Sequence, residues 1–415
     1  MAEASLKLGG GNWGVKEDSL LGYNDENGNY KPIPFDFSRA SIGTRVNRDG
    51  LIETVQDNIP RIDFSDGEGS LLLEPQRTNL VTYSEQFENW TPENANVTTN
   101  ATISPDGYSN ADAIIEDTSN ADHNRAQGIL LTAASYTGSV FLKKYNTTWC
   151  AVYIYNPSGG KGIRHWINLD TLTAGTSAAI GSGITAPLML TDYGNGWVRA
   201  SITFTADASV WYLYVANAQT NGGSSSYTGD GTSGFYAWGA QLEAGAYPTS
   251  YIPTSGSAVT RVAEPNQLVK TDLITDGFFS STELTWFIDI NLFEKDSGTS
   301  VAPRLVNSSN GNIFIGLNET LGGNLNIRHK DGTTAANTSG VSFDENGQRF
   351  KVLVKVSGTT GEAFINGSSM GTFTTLAASN YDEFENVAAN AYDLRQMLMF
   401  PTALTDSECI DLTQV

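Results

Sequence analysis

The sequence predicts an all-β protein in which two β-sandwich domains follow an extended N-terminal arm. Segments rich in β-branched and aromatic residues recur along the chain, with turn signals rather than helical patterns between them. Gly is abundant, at 42 of 415 residues, and Ser, Thr and Asn are frequent, which suits short strands joined by tight polar turns. Only 17% of the residues are charged and 40% are hydrophobic, so each domain has enough apolar residues for a core.

Residues 1–82 differ from the rest of the chain and predict the extended arm. LGGGNWG near the start is turn-rich, and short apolar pieces such as SLLLE at 70–74 are bounded by Gly, Asp or Pro. These apolar pieces are too few to bury a core alone. We therefore expect the arm to pack on a partner surface, either the following sandwich or another subunit.

Residues 83–255 show the strand periodicity of a first sandwich or jelly roll. The strongest strand signals in this range are SYTGSVFLKKY (135–145), TWCAVYIYN (148–156), WVRASITFTA (197–206), VWYLYVANA (210–218) and FYAWGAQLEAG (235–245). Prolines and small residues are concentrated after the last of them, a composition typical of domain boundaries. We place an interdomain linker at 256–266.

Residues 267–415 predict a second sandwich. In RFKVLVKV, the apolar residues alternate with Lys351 and Lys355, as expected for a strand with one buried face. The tail ends in a strand and one short helix. Thr405 is predicted to cap the N-terminus of that helix, with Glu408 completing a capping box.

Charge and cysteine content argue against several classes of partner. The formal net charge is −21, which disfavours binding to nucleic acid or to an anionic membrane surface. Apolar runs are shorter than a membrane-spanning helix needs. Cys150 and Cys409 lie in different predicted domains, so we expect both to be free and buried. The first residues lack the pattern of a secretory signal, so we expect synthesis in a cytosol.

The residue patterns predict a protein that is not an enzyme. None of His123, His165 and His329 lies near a Gly-x-Ser-x-Gly elbow, and no metal-ligand spacing is present. A glycoside hydrolase is the serious enzymatic alternative, because it needs only two carboxylates across a sugar bond. Acidic neighbours such as Glu116 and Asp117 would point to opposite faces of a strand, so we interpret such pairs as solvated turn charges.

One strand carries candidate carbohydrate-binding residues. In TWCAVYIYN, Trp149, Tyr153 and Tyr155 share one face, and the apolar residues between them share the other. Sugars stack their C–H faces on Trp and Tyr rings, so this aromatic face is a candidate binding platform, with Trp166 of RHWINLD as a second candidate. The alternative, which is common in sandwiches, is that these aromatic residues are the larger half of the core.

Calcium is the only cofactor for which the sequence offers ligands. The acidic, Gly-rich loops around Asp63, Asp66 and Glu68 and at Asp230 could supply oxygen atoms, although neither loop matches an EF-hand. Solvated turns explain the same residues, so we assign no metal ligands and no cofactor.

Several segments resemble known proteins. FSRASIGTRVNRDGLIETVQDNIPRIDF and SLLLEPQRTNLVTYSEQFENW resemble the N-terminal signature of many phage tail and virion proteins. Residues 79–242 look like a carbohydrate-binding-module jelly roll of the family 4/9 type, and FYAWGAQLEAGAYPTSYIPTSGSAVTRVA resembles its closing strand and exit linker. Residues 267–415 are similar to a concanavalin A-like, laminin-G-type sandwich. The segments 38–90 and 235–262 are the specific parts of the resemblance.

The resemblance implies a bacteriophage fibre, often trimeric, that contacts host surface glycans and is attached to other virion proteins through residues 1–82. It therefore implies a virion protein made in the host cytoplasm and released by lysis. The alternatives are a head-fibre or capsid decoration protein that mainly contacts other virion proteins, and a polysaccharide depolymerase. The signature itself supplies no catalytic or sugar-contact residue.

Overall fold

The computed structural model describes residues 2–24, 31–264, 268–292, 300–306, 311–318, 324–331, 334–337, 348–375, 377–386 and 392–415. Nearly all regular structure in these ranges is β-strand, which confirms the all-β prediction. Within the same ranges, the structure contains no helix of the length and apolar character that crossing a bilayer requires.

The strands are short and follow one another closely. Those that begin before residue 77 are β1 (Leu6–Gly9), β2 (Gly14–Lys16), β3 (Ser19–Asn24), β4 (Lys31–Asp36), β5 (Gly43–Val46), β6 (Ile52–Val55), β7 (Ile62–Asp63) and β8 (Ser70–Leu73). Those between residues 77 and 261 are β9 (Arg77–Asn79), β10 (Thr91–Glu93), β11 (Ala95–Thr102), β12 (Ala111–Glu116), β13 (Asn120–Ala121), β14 (Asn124–Leu130), β15 (Ala134–Lys144), β16 (Trp149–Asn156), β17 (Lys161–Asn168), β18 (Thr173–Gly181), β19 (Leu188–Asp192), β20 (Trp197–Ala206), β21 (Val210–Ala218), β22 (Tyr227–Thr228), β23 (Gly234–Ala244) and β24 (Val259–Arg261).

The remaining strands follow residue 261, and the described residues also contain short helices. The strands are β25 (Val269–Lys270), β26 (Glu283–Leu292), β27 (Ser300–Val306), β28 (Gly311–Asn318), β29 (Asn324–Asp331), β30 (Thr334–Asn337), β31 (Gln348–Ser357), β32 (Thr360–Ile365), β33 (Ser368–Thr374), β34 (Glu383–Asn386) and β35 (Tyr392–Phe400). The helices are α1 (Asp406–Thr413) and two 3₁₀ turns, Phe87–Asn89 and Ala378–Asn380.

The chain forms two compact units. The middle unit comprises residues 49–53 and 77–261, and the terminal unit comprises residues 1–48, 54–76 and 262–415. Each unit has its own apolar cluster of buried side chains.

The middle unit is a sandwich of two six-stranded antiparallel sheets. One sheet has the strand order β10-β14-β21-β16-β17-β18, and the other has the order β11-β12-β23-β15-β20-β19. Their facing side chains form the core, to which β16 contributes Cys150, Val152 and Ile154. Because strand residues alternate between faces, the aromatic residues of β16 lie on the opposite face, away from this core.

The terminal unit is a second sandwich, built from two series of paired strands. In one series β35 pairs with β26, followed by β31, β32 and β33, while the other edge of β35 pairs with β1 and β8. The second series runs β2, β3, β4, β25, β34, β27, β28, β29 and β30. Side chains of both series share one core, where Trp286 of β26 meets Phe384 of β34 edge to face.

The N-terminal segment is part of this second sandwich, which differs from the predicted extended arm at 1–82. Strand β1 pairs with β35 in register Leu6↔Met399, and Leu71 of β8 pairs with Leu394. Leu6, Leu8 and Leu20 are fully buried in the terminal core. Strands β1 and β8 are each four residues long, and their partner β35 lies more than 300 residues away, so local composition could not reveal this pairing. Residues 77–82 belong to the middle unit.

A buried ionic network holds the N-terminal segments to the chain that leaves the middle unit. Glu264 accepts hydrogen bonds from Arg39 Nη1 at 2.8 Å and Arg61 Nε at 2.6 Å, and Arg61 also pairs with Glu74 at 2.9 Å. The side chains of Arg39, Arg61 and Glu264 are completely excluded from solvent. These residues lie in the sequence segments FSRAS, PRIDF, LLLEP and RVAEP.

A second polar connection closes the middle unit. Asn79 Nδ2 donates to the carbonyls of Ala240 and Ile252, and its Oδ1 accepts from the backbone N–H groups of Val81 and Leu242. All four hydrogen-bonding positions of this buried amide are therefore filled. The predicted linker at 256–266 is also more structured than expected, because its residues 259–261 form β24 and pair with β9.

The C-terminal elements agree with the sequence. Thr405 caps α1, and its side chain and that of Glu408 form the predicted capping box. Lys355 projects from β31 away from the main core and forms an ion pair with Glu362 at 3.2 Å. Cys150 and Cys409 are both free and buried, in different units.

Candidate functional site

A cleft of about 530 Å³ opens on the face of the β10–β18 sheet that points away from the core of the middle unit. Its walls come from strands of that sheet and from the loop after β21. The lining residues are Glu93, Asp122, Tyr153, Tyr155, Arg164, Trp166, Ala178, Ala179, Ile180, Gly181, Tyr214, Gly223 and Ser225.

The floor of the cleft is a row of side chains that are neighbours across three strands. Tyr153 of β16 is paired in register with Tyr214 of β21 on one side and with Arg164 of β17 on the other. The two tyrosine rings are stacked, with centroids 4.1 Å apart and planes 8° apart. The Arg164 guanidinium lies 4.2 Å from the centroid of Tyr153 and 5.9 Å from that of Trp166.

Small residues beside this row leave space above the sheet. Arg164 is paired with Ala178 of β18, and Tyr214 is paired with Ala126 of β14. Trp166 is paired with Ala151. The register between β17 and β18 shifts next to Trp166, and such irregularities re-aim side chains near binding sites. Alternation of large and small side chains thus produces a concavity instead of a flat aromatic surface.

Three charged side chains line the cleft. Arg164 forms an ion pair with Asp122 Oδ2 at 3.2 Å. Glu93 Oε2 accepts a hydrogen bond from Asn124 Nδ2 at 2.8 Å. The lining therefore carries two carboxylates and one guanidinium, which gives it one unit of excess negative charge.

The tyrosine hydroxyls of the floor stay protonated at physiological pH. Burial raises the pKa of Tyr214 to about 12, and the charge of Glu93 adds to this shift. Burial also raises the pKa of Tyr153 well above its ordinary value, although the nearby Arg164 charge opposes the shift. Neutral hydroxyls can both donate and accept hydrogen bonds, as ligand hydroxyl groups do.

The cleft contains three of the four binding residues predicted from sequence. Tyr153, Tyr155 and Trp166 line it, whereas Trp149 lies on the same sheet face, packed with this group but outside the lining. Tyr153 and Trp166 are 4% and 5% exposed, so they are largely buried, but they are not part of the core between the sheets. Whether these residues contact sugar stays a prediction.

Four other charged or aromatic residues of the cleft were not predicted from the sequence, and two of them had a usable signal. Arg164 lies two residues before Trp166, so strand alternation places both on one face. Tyr214 alternates with the core residues Leu213 and Val215 in the same way. Glu93 and Asp122 lie at a strand end and in a turn, where periodicity assigns no face.

The carboxylates of the predicted calcium loops accept hydrogen bonds from, or form ion pairs with, other groups of the protein. Asp63 accepts from the backbone of Val46 at 2.7 Å, and Glu68 pairs with Arg395 at 3.0 Å. Asp230 accepts from backbone N–H groups of its own turn. Within the described ranges, no group of three or more His, Cys, Asp or Glu side chains is placed to hold a metal ion.

One acidic pair differs from the solvated turns that were expected. Glu116 is buried and accepts hydrogen bonds from the Tyr227 hydroxyl at 2.6 Å and the Asp230 backbone at 2.9 Å. Its neighbour Asp117 faces solvent and accepts from Ser119. Glu116 is the last residue of β12 and points to the buried side, whereas Asp117 follows it and points to the solvent side.

The comparisons with known proteins were made on sequence and on structure. No family model and no curated protein matches the sequence. Among solved structures, the chain is similar to the CBM40 of the Ruminococcus gnavus IT-sialidase, at 14% identity, over 32% of this chain and 84% of that chain, with a TM-score of 0.26.

Two other solved structures illustrate the range of matches. Sheep galectin-11, in complex with glycerol, matches at 13% identity over 33% of this chain and 98% of that chain, with a TM-score of 0.25. Domains LG4-5 of the mouse laminin α1 chain match at 9% identity over 69% of this chain and 90% of that chain, with a TM-score of 0.22. At these identities the matches say nothing about what this chain binds.

Proposed function

We propose that the chain is a non-enzymatic glycan-binding protein and that the cleft of the middle unit is its binding site. The observation that carries this proposal is the concave aromatic lining, edged by hydrogen-bonding side chains. Tyr155 and Tyr214 are partly exposed and offer ring surface, whereas Tyr153 is covered by Tyr214 and Arg164 and supports them from below. Aromatic faces pack on the C–H faces of a sugar ring, while Asp, Glu and Arg bond its hydroxyls. A concave site that combines ring surfaces with a few convergent polar groups is a common form of small-ligand site.

We further propose that the protein is a fibre-type component of a bacteriophage virion that contacts glycans of the host surface. The support is the resemblance of segment 38–90 to the N-terminal signature of phage virion proteins, and of segment 235–262 to the closing strand and exit linker of the module that follows it. In this proposal it is made in the host cytoplasm, carried on the particle as a homo-oligomer such as a trimer, and attached through contacts with other virion proteins. Residues 1–76 contribute strands to the terminal unit, so we assign attachment to that unit as a whole.

A polysaccharide depolymerase is the second candidate, because Glu93 and Asp122 both line the cleft. Glycoside hydrolysis needs one carboxyl group that donates a proton to the leaving group. Asp122 is already engaged in an ion pair with the Arg164 guanidinium, so the cleft leaves Glu93 without a second uncommitted carboxyl group. We therefore favour binding without cleavage. Release of reducing ends from a bound polysaccharide, lost in Glu93→Gln, would establish the enzymatic alternative instead.

A glycan array tests the proposal, followed by adsorption competition. The intact chain should bind at least one class of surface polysaccharide, and excess protein should slow adsorption of the parent phage to its host. Tyr155→Ala should weaken both effects, while Tyr145→Ala, which changes an exposed tyrosine outside the cleft, should leave both unchanged. Absence of binding across the array, with the protein still incorporated in particles, would favour a capsid decoration or head-fibre role.

A further inference from the structure

We infer that the cleft selects sugars that carry an amino group over neutral and acidic sugars. This inference rests on the proposed glycan-binding function and concerns the chemical class of the ligand. It is drawn from the balance and placement of charge around the aromatic floor.

The positive charge in the lining is already committed to the protein. Arg164 forms an ion pair with Asp122 and lies over the ring of Tyr153. A sugar carboxylate would have to displace Asp122 from this guanidinium and would also face the charge of Glu93. Acidic sugars are therefore disfavoured by like-charge repulsion, in a protein whose net charge is −21.

The negative charge is available to a ligand. The Glu93 carboxylate has an amide, Asn124, as its hydrogen-bond donor instead of a cation. Asp122 is held in its ion pair with Arg164, whereas Glu93 is exposed, so Glu93 is the carboxylate that a ligand can reach. An ammonium group offers this carboxylate an opposite charge and three hydrogen-bond donors.

The aromatic residues favour the same ligand. Tyrosine faces attract cations, and Arg164 already stacks on Tyr153 in this way. Tyr155 and Trp166 line the cleft beside it and provide further ring surface for a protonated amine. The excess carboxylate charge and the aromatic rings thus both favour a ligand with a cationic substituent.

Titration calorimetry with matched oligosaccharides tests the inference. Oligomers of glucosamine, of N-acetylglucosamine and of galacturonate, equal in length, are compared at low salt and mildly acidic pH, where the amine is charged. We expect the glucosamine oligomer to bind about tenfold more tightly than its N-acetylated form, as expected for one opposite-charge contact near a surface. Salt should reduce this preference.

Two variants with the same change in net charge separate a local effect from a general one. Glu93→Gln keeps an acceptor for Asn124 and should remove most of the preference. Asp192→Asn, at an exposed turn on the other sheet, should retain it. Thermal unfolding confirms that both variants are folded.

The outcomes are distinct. Equal or tighter binding of the N-acetylated or acidic oligomer would overturn the amine preference but leave glycan binding intact. An equal effect of the Glu93→Gln and Asp192→Asn variants on the preference would do the same. Failure of every oligosaccharide here and on a broad array would overturn glycan binding itself.

Discussion

At the scale of single residues, the middle unit depends on polar groups whose environments are set by long-range pairing. Asn79 fills four hydrogen-bonding positions on segments that are distant in sequence. His165 is buried beside the cleft strand residues Arg164 and Trp166, and its Nε2 donates to the carbonyl of Ala186 at 2.9 Å. Because His165 can take up a proton, its protonation affects the stability of the sheet that contains it.

His165 gives a prediction for the pH dependence of stability. Burial lowers the pKa of His165 below its ordinary value of 6.5, although the hydrogen bond to Ala186 opposes the shift. The unfolded chain therefore takes up a proton that the folded chain resists. The contribution of neutral His165 to the free energy of unfolding is therefore fully present above pH 6.5, and it decreases as the pH falls below that value.

The measurement is the melting temperature of the middle-unit transition at pH 7.5 and pH 5.5, with pH values chosen about one unit either side of the free histidine pKa. We expect His165→Gln, which keeps a donor for Ala186 but does not titrate, to lose less stability than the parent chain on acidification. An equal or larger loss in the variant would contradict this role.

At the scale of elements, the regular strands were predictable and their partners were not. WVRASITFTA and VWYLYVANA correspond to β20 and β21 because alternation and β-branched content are local properties. Strands β1 and β8 looked like pieces of an arm because each is four residues long and joins β35 across most of the chain. In the cleft, alternation identified Tyr153 and Tyr155, but Glu93 and Asp122 depend on how neighbouring strands meet.

The ionic network that joins these elements gives a second prediction. Replacing Glu264 with Gln removes the carboxylate that both Arg39 and Arg61 contact, while Glu74 still pairs with Arg61. We expect a loss of about 3–5 kcal/mol in the free energy of unfolding, typical of breaking a buried ion pair. Chemical denaturation of the terminal unit measures it.

The matched control is an ion pair at the surface. Lys144 and Asp170 are each about two-fifths exposed, so Asp170→Asn should change stability far less. Similar losses in the free energy of unfolding for the two variants would show that the buried network stabilises the protein no more than a surface ion pair does.

At the scale of the whole molecule, two units with separate cores share one chain. The middle core uses residues between Val81 and Leu242, whereas the terminal core uses residues from both ends of the chain. The chain thus enters and leaves the middle unit through paired strands β9 and β24.

This organisation predicts which fragments fold. A fragment of residues 77–261 should fold cooperatively by itself and retain glycan binding. A fragment of residues 267–415 should not fold, because it lacks β1, β8 and the buried leucines of the N-terminal segment. Circular dichroism and thermal melts decide the matter, and a cooperative transition in the second fragment would contradict the structure of the terminal unit.

Binding at the aromatic cleft is tested most directly by calorimetric titration of the intact chain with its best array glycan. The double variant Tyr155→Ala/Trp166→Ala should lose at least about two orders of magnitude in affinity, since aromatic anchors dominate such sites. Trp149→Ala, outside the lining, should bind within about threefold of the parent, a change of well under 1 kcal/mol. Undiminished binding by the folded double variant would contradict the assignment of the cleft as the glycan site.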